Sequence, residues 1–301
     1  MYNRGELEGA QALLEQVLEA QMRILGPEHP DTLRSILNLG ASLSARGDLA
    51  GAEKLQKRAF EASTRVLGPD HPDTLKNMLN LAGTLKDRGD LEGAEKLQER
   101  ALEASTRILG PEHPSTLSVI TNLAGTLHSR GDLERAQPLQ ERVLEASVRS
   151  LGAEHPSTLI ISMSNLAETL SAHGNLGGAQ ALQERVLEAR MRVLGAEHPD
   201  TLTSMNNLAL TFSAQDDLER AQALQESVLR AMASTLGPEH PSTITSMSNL
   251  AVTLYHRRNL AGARKLLEHV LEARTRILGS EHPHTKLASS SLAAARIGSE
   301  T

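Results

Sequence analysis

The tetrad His-Pro-x-Thr recurs along the chain at an almost constant interval, and this period constrains the fold more than any other feature. Successive tetrads lie 42, 42, 42, 43, 42 and 42 residues apart. The sequence between them repeats as well, since residues 27–68 and 69–110 are identical at 29 of 42 positions. A fixed period of this length is the signature of an array of like structural repeats. The tetrads begin at His29, His71, His113, His155, His198, His240 and His282.

Each repeat divides into two predicted helices. In the first full repeat, helix A is expected from about Pro30 to about Ala45, because proline suits the first turn and apolar residues then recur every three or four positions. Gly47 and Asp48 predict the end of helix A and the N-cap of the next helix. Helix B is expected from about Leu49 to Leu67, on the same helical period.

Two helices of this length cannot bury their apolar faces on each other alone, so stability has to come from stacking successive repeats. The sequence therefore predicts an all-α solenoid of about 14 antiparallel helices that forms one domain over residues 1–301. A helix B alone is expected at 1–26, and a helix A with a frayed tail at 280–301. The full repeats are predicted at 27–68, 69–110, 111–152, 153–195, 196–237 and 238–279.

Composition and charge exclude several classes of function. The formal net charge is −6, which gives no electrostatic footprint for DNA or RNA. The chain has no cysteine, which excludes disulfides and cysteine-based zinc sites. It has no apolar run of about 18 residues and no N-terminal signal segment, so we expect no membrane association and a cytoplasmic location. Charged residues of helix B such as Glu95 and Lys96 follow surface periods and predict a solvated face.

No enzymatic activity and no cofactor are expected. Catalysis needs different groups around one reacting atom, whereas the polar residues here recur in near-identical copies. The chain also lacks a glycine-rich phosphate loop and a His-Glu-x-x-His motif. The tetrad histidines lie one repeat apart, too far to share a metal ion. Each is predicted instead to pack against or cap the start of helix A.

The repeats resemble a known family. Small residues stand at the predicted helix crossings, as in the tetratricopeptide repeat: Gly40 and Ala52 in the first full repeat, Ala82 and Ala94 in the second. The 42-residue length, the Leu-Gly-Pro-Glu-His-Pro-Asp-Thr linker and the Asn-Leu-Ala core of helix A are similar to the kinesin light chain type. That type also occurs in nephrocystin-like proteins and in the sensor arrays of NTPase switch proteins.

The resemblance implies a right-handed superhelix in which helix A lines a concave groove that binds a peptide. Where this family usually has Tyr late in helix A, the chain has other residues, so aromatic pockets for a ligand Trp are not expected. The residues at that position are Leu43, Leu85, Leu127, Leu170, Phe212 and Leu254.

The helical period locates this groove independently, because positions off the apolar face recur at i, i+4, i+7 and i+11. Basic residues are expected in the first part of the groove and apolar residues in the later part, which fits a ligand that is acidic toward one end and apolar toward the other. The candidate peptide-binding residues are Arg34, Asn38, Lys76, Asn80, Asn122, Ile161, Asn165, Glu168, Asn207, Leu210, Asn249 and Val252.

One asparagine recurs in every complete repeat. A side-chain amide carries two donors and one acceptor, so a row of them can hold a peptide backbone without reading its side chains. The family that the chain resembles uses an Asn before Leu-Ala in this way. The alternative is that each Asn bonds a neighbouring helix and fixes the stacking register. Capture of a free C-terminus is not expected, because Leu37, Leu79, Ala41 and Gly83 stand where a carboxylate clamp needs polar partners.

The predicted function is a non-catalytic scaffold that binds a protein or peptide in the helix A groove. One alternative is the C-terminal sensor array of a larger NTPase switch protein, which a nucleotide-binding motif upstream would distinguish. A second alternative is weak end-to-end self-association through the half repeats, which would make the mass depend on concentration.

Overall fold

The structure, a computed structural model, describes residues 4–151 and 156–297, and every regular element in them is an α-helix. The chain forms two compact blocks, the N block over residues 1–152 and the C block over residues 153–301. This division falls at a predicted repeat boundary, and the single array over 1–301 stays a prediction. None of the helices in the described residues is both long and apolar enough to cross a membrane.

Helices of type A and type B alternate along the chain, and the bounds predicted for the first full repeat are confirmed. The N block contains α1 (Arg4–Ile24), α2 (Pro30–Ala45), α3 (Leu49–Leu67), α4 (Pro72–Asp87), α5 (Leu91–Leu109), α6 (Pro114–Arg130) and α7 (Leu133–Leu151). The C block contains α8 (Pro156–Ala172), α9 (Leu176–Leu194), α10 (Pro199–Ala214), α11 (Leu218–Thr235), α12 (Pro241–His256), α13 (Leu260–Leu278) and α14 (Pro283–Ile297).

The tetrad histidines cap the A helices, as predicted. At the start of α4, Nδ1 of His71 accepts a hydrogen bond of 3.1 Å from the backbone N–H of Asp73. This bond satisfies one of the N–H groups that a helix start leaves without a partner, and Pro72 has none to satisfy. The predicted cap at His155 lies outside the described residues. The same bond forms at His29, His113, His198, His240 and His282.

The turn between helix A and helix B also follows the predicted chemistry. Gly89 has a φ of 88°, a left-handed conformation that costs glycine little. The next residue, Asp90, accepts a hydrogen bond of 2.9 Å from the backbone N–H of Gly93 and so caps α5. Two repeats place another residue at the left-handed position: Asp216 at φ 64° and Arg258 at φ 63°.

Each helix packs against its neighbours in the sequence within its block, so the core runs along the stack. Successive A helices also contact each other: α2 contacts α4, and α10 contacts α12. The predicted small residues at the crossings are confirmed, because Ala52, Ala82 and Ala94 are fully buried. A Cβ atom on Gly40 would lie 3.0 Å from Cγ of Gln56, so the Gln56 side chain of α3 packs directly against α2 there.

A column of glutamines runs through this core at one position of helix B: Gln56, Gln98, Gln140, Gln183 and Gln225. In the sixth full repeat the same position holds Leu267, which is 4% exposed and packs on Ala251 and Leu292. Both amide atoms of Gln225, itself 0% exposed, lack a hydrogen-bond partner among the described residues. This polar column was not predicted from the sequence.

One set of ion pairs joins the two ends of individual repeats. Arg107, in the last turn of α5, lies 2.6 Å from a carboxylate oxygen of Asp70, in the linker that precedes α4. The pair joins the end of helix B to the start of helix A in the same repeat. Equivalent pairs are Arg65 with Glu28, Arg149 with Glu112, and Arg276 with Glu239.

A second set of ion pairs joins neighbouring repeats. Glu95 of α5 bonds Arg130 at the end of α6 and lies 2.7 Å from Arg135 of α7. Its side chain is only 9% exposed, so the predicted solvated face is wrong at Glu95, because two guanidinium groups cover it. Lys96 beside it is exposed as predicted and pairs with Glu92 at 2.6 Å.

Candidate binding face of helices A

The predicted groove positions form a continuous face on each A helix, here called the A face, and none of them contributes to the core. They lie opposite the apolar stripe, as a period of 3.6 residues requires. Eight are exposed and four half-buried. The exposed residues are Arg34, Asn38, Lys76, Asn122, Ile161, Glu168, Leu210 and Val252, and the half-buried ones are Asn80, Asn165, Asn207 and Asn249.

Most of the asparagine side chains on the A face form no hydrogen bond with another described residue. Asn249 is the exception, since its Nδ2 donates a hydrogen bond of 3.0 Å to Oδ1 of Asn206 on the preceding A helix. The stacking role considered for the row therefore applies at this repeat. The A-face asparagines whose side chains form no hydrogen bond with another described residue are Asn38, Asn80, Asn122, Asn165 and Asn207.

In the N block, three of the predicted residues line one recess. Lys76 and Asn80 of α4 and Asn122 of α6 surround an open cavity of about 650 Å³ between these two A helices, here called the α4/α6 recess. Its volume lies within the range typical of sites for small organic groups, about 300–1,000 Å³. Its floor is apolar and is formed by Leu75, Leu79, Ile108, Leu109 and Val119.

Lys76 places a positive charge at this recess. Neither Lys76 nor Lys86 forms an ion pair with another described residue. Lys86 lies near the C-terminal end of α4, outside the residues that line the recess, and its ammonium is 3.3 Å from where a Cβ atom on Gly125 of α6 would lie. Asp70 also lines the recess, but Arg107 neutralises its carboxylate.

Arg34, the other predicted basic residue, lies 2.8 Å from a carboxylate oxygen of Asp31 in the first turn of its own helix. Because Asp31 neutralises Arg34, Lys76 attracts a ligand carboxylate more strongly than Arg34 does on the A face of the N block.

In the C block the A face is more apolar. Ile161, Leu210 and Val252 are 55%, 44% and 47% exposed. Glu168 and Asn207 line a much smaller cavity of about 100 Å³ between α8 and α10. A further cavity of about 220 Å³ lies between α12 and α14, next to Ile244 and Thr245; we call these two the α8/α10 and α12/α14 recesses.

Arginines occupy both recesses of the C block. Arg190 donates hydrogen bonds to the carbonyl of Asp200, at 2.9 Å, and to Oγ of Ser204, at 2.7 Å. Arg274 donates to the carbonyl of His284 at 3.1 Å, and burial lowers the pKa of its guanidinium. These two arginines were not predicted from the sequence, although aligning the repeats places them at the position of Ser105.

The tetrad histidines of the described residues serve as caps. No group of three or more metal-ligating side chains occurs in the part of the chain that the structure describes.

The comparisons with known proteins identify the class. Tetratricopeptide repeat family models match residues 77–147, 115–176 and 158–234 in one form and 1–31, 32–73 and 243–284 in another. These matches cover more than half of the sequence, so the chain belongs to the tetratricopeptide repeat family and has its stacked helix pairs. No curated protein matches the chain.

Solved structures add the subtype. A putative kinesin light chain of Podospora anserina, with nearly identical TPR-like repeats, is 30% identical over 69% of this chain and 98% of that chain, with a TM-score of 0.62. BtubC (BKLC) of P. vanneervenii is 24% identical over 78% of this chain and 94% of that chain, with a TM-score of 0.65. The predicted likeness to the kinesin light chain type is confirmed.

Like BtubC, a third structure shows the fold alone. The STAND protein of Pyrococcus horikoshii, a signal transduction ATPase with a tetratricopeptide repeat sensor, is 15% identical with a TM-score of 0.68. The match covers 97% of this chain and 44% of that chain.

Proposed function

We propose that the chain is a protein-interaction scaffold that holds an extended protein segment along the A face. The observation that carries this proposal is the row of exposed or half-buried asparagines, five of which have amides without a hydrogen-bond partner among the described residues. An amide that stabilised the stack would be bonded to a neighbouring helix, as at Asn249. The others remain available to a ligand.

The spacing of the row suits a backbone ligand. Packed helices lie about 8–10 Å apart, and an extended chain advances about 3.3 Å per residue. About three ligand residues therefore separate the peptide groups that successive asparagines would bond. Each amide can donate to a backbone carbonyl and accept from a backbone N–H, so this part of the affinity does not depend on ligand sequence.

Selectivity would come from the residues beside the asparagines. In the N block the unpaired Lys76 favours a carboxylate on the ligand, whereas in the C block Ile161, Leu210 and Val252 favour apolar side chains. A segment that binds the N block is therefore expected to be acidic, and one that binds the C block apolar.

The test is a peptide-display selection on the full chain and on a variant with Asn80, Asn122 and Asn165 all changed to Ala. We expect peptides that bind the parent and are lost by the variant. Equal binding by both, or none by either, would refute the proposal.

A matched control changes three exposed helix B glutamates, one per repeat, to Ala: Glu61, Glu103 and Glu145. This control should bind the selected peptides like the parent, and circular dichroism should show equal helicity in all three proteins.

The sensor and self-association alternatives remain predictions with separate tests. A nucleotide-binding motif upstream in the gene would favour the sensor role, in which the same A face would bind the signal. A mass that rises with protein concentration would favour self-association.

A further inference from the structure

We infer that two copies of the chain form a dimer about a twofold axis, through the edge of the N block at which each helix B ends and the linker to the next helix A follows. We call this surface the linker edge. The inference goes beyond the proposed function and does not rest on it, because the asparagine row takes no part in the contact. The linker edge consists of three pairs of apolar residues and the linkers that follow them: Ile24 and Leu25 with 26–29, Val66 and Leu67 with 68–71, and Ile108 and Leu109 with 110–113.

Large apolar side chains are exposed at the linker edge. Of the eight that the described residues of the N block expose, five lie here. Ile24 is 72% exposed, and Val66 and Ile108 are each 46% exposed. Ile108 and Leu109 also line the α4/α6 recess, whereas the other apolar residues of the edge do not. An exposed apolar surface that recurs from repeat to repeat is typical of a contact with another molecule.

The shape of the linker edge matches a second copy of the same edge. Each apolar pair forms a ridge and is followed by a linker glycine, where a Cβ atom would meet no atom within 4 Å, so open space lies beside every ridge. Ridges and open spaces alternate at one interval, because the repeats of this block have the same length of 42 residues. Another copy has the same interval, so its ridges enter these spaces at several repeats at once. The glycines are Gly26, Gly68 and Gly110.

The charge of the linker edge also favours a second copy. Each carboxylate in the first two linkers is paired with the arginine that precedes the next ridge: Glu28 with Arg65, and Asp70 with Arg107. The chain as a whole carries a net charge of −6, so two copies repel each other at most other surfaces. At this edge the carboxylates are neutralised, so apolar surfaces of two copies can meet without that repulsion. A strongly charged partner, in contrast, finds no opposite charge free in these linkers.

A contact between two identical edges closes at two copies. In a twofold dimer the same patch of both chains is used, so no edge is left for a third chain. End-to-end association differs, because it joins unlike ends and continues into longer assemblies. That association would use the apolar face of α1, where Leu13 and Val17 are 63% and 47% exposed. The mass at high protein concentration therefore distinguishes the linker edge from the half repeats.

The first experiment is sedimentation equilibrium of the full chain at increasing protein concentration. The edge has six apolar residues, against about 20–30 residues a side in a standard interface, so we expect a weak dimer with a Kd of roughly 10–100 µM. The mass should rise from the 32.4 kDa of one chain toward twice that value. It should then stay constant as the protein concentration is raised further.

Substitutions on two different surfaces test the assignment. A variant with Val66→Glu and Ile108→Glu places carboxylates on two ridges and should remain a monomer at every concentration, because burying them in an apolar contact is costly. The matched control, Ile161→Glu with Val252→Glu, changes two apolar residues of the A face that are 55% and 47% exposed, and it should dimerise like the parent. All four positions are exposed, so circular dichroism should show equal helicity in the three proteins.

Three results would overturn the inference. The first is a parent chain that stays monomeric well above the expected Kd, even if another protein binds the edge. The second is a folded Val66→Glu, Ile108→Glu variant that dimerises as strongly as the parent. The third is a mass that rises beyond two chains and falls to one in a variant with Leu13→Glu and Val17→Glu, which would assign the association to the half repeats. None of these results depends on whether the asparagine row binds a peptide.

Discussion

Replacing Gln225 with leucine is expected to stabilise the protein, although it removes a polar side chain that four other repeats share. Both amide atoms of Gln225 are buried without a hydrogen-bond partner among the described residues. Burying an amide in this way costs about 1–3 kcal/mol. The sixth full repeat already has Leu267 at this position, well packed on Ala251 and Leu292. Gln225→Leu should therefore raise the local stability of α11 by about 1–3 kcal/mol.

The assay is amide hydrogen exchange of peptides from α11, because stability in a repeat protein is local and one unfolding midpoint averages over the stack. A gain of this size slows exchange about 5- to 150-fold, since every 1.4 kcal/mol is a factor of ten. Peptides from α5, in the other block, should exchange at the parent rate.

Gln222 on the same helix is the matched control. Its Nε2 donates to Glu226 at 2.7 Å, and its Oε1 accepts from Arg257 at 2.6 Å. Gln222→Leu breaks both bonds and should not stabilise α11. If Gln225→Leu speeds exchange instead of slowing it, the amide has a bonding partner, such as an ordered water, and the reasoning about the whole column fails.

Two further substitutions test the local chemistry of the repeat, both by urea denaturation followed by circular dichroism. His71→Ala removes the acceptor for the N–H of Asp73 and should lower the free energy of unfolding by about 1 kcal/mol. His71→Asn should recover most of this loss, because asparagine is also a good N-cap residue. If His71→Ala is as stable as the parent, the cap contributes nothing. Arg258→Gly should stabilise by up to about 1 kcal/mol, because a left-handed φ of 63° strains any residue with a Cβ atom. A loss at Arg258 would mean that side-chain contacts there outweigh the backbone strain.

Local features of the fold could be predicted because the signals that set them are local. Pro30 and Gly47 mark the bounds of helix A, and the observed helix matches them. The exposure of the A face could be predicted for the same reason, since a period of 3.6 residues places Asn38 and Asn122 away from the apolar stripe.

The buried polar groups could not be predicted, because their burial depends on residues far apart in the sequence. Glutamine normally lies at the surface, whereas Gln56 is buried where α3 packs on neighbouring helices, with its side chain against Gly40. Glu95 is covered by Arg130 and Arg135, which follow it by 35 and 40 residues. Arg190 and Arg274 likewise line recesses that form only where helices from adjacent repeats meet.

The single 43-residue spacing, between the tetrads at His155 and His198, has a local effect that was not predicted from the sequence. One extra residue lies between Thr158 and Asn165 in α8. An insertion of one residue turns a helix by about 100°. Thr158 is accordingly exposed, whereas the tetrad threonines of the other A helices, such as Thr32, Thr74 and Thr201, are fully buried.

Within each block, helices contact helices of the same repeat or of the adjacent repeat, and this has a consequence for how such a chain can gain or lose repeats. Within a block, deleting one whole repeat would bring together two faces that carry the same alanines at the crossing, as Ala52 and Ala94 do. Unequal recombination between near-identical stretches such as 27–68 and 69–110 would therefore change the number of repeats without creating a new interface. Loss or gain of one full period is expected to preserve the fold, whereas loss of a fraction of a period would disrupt it.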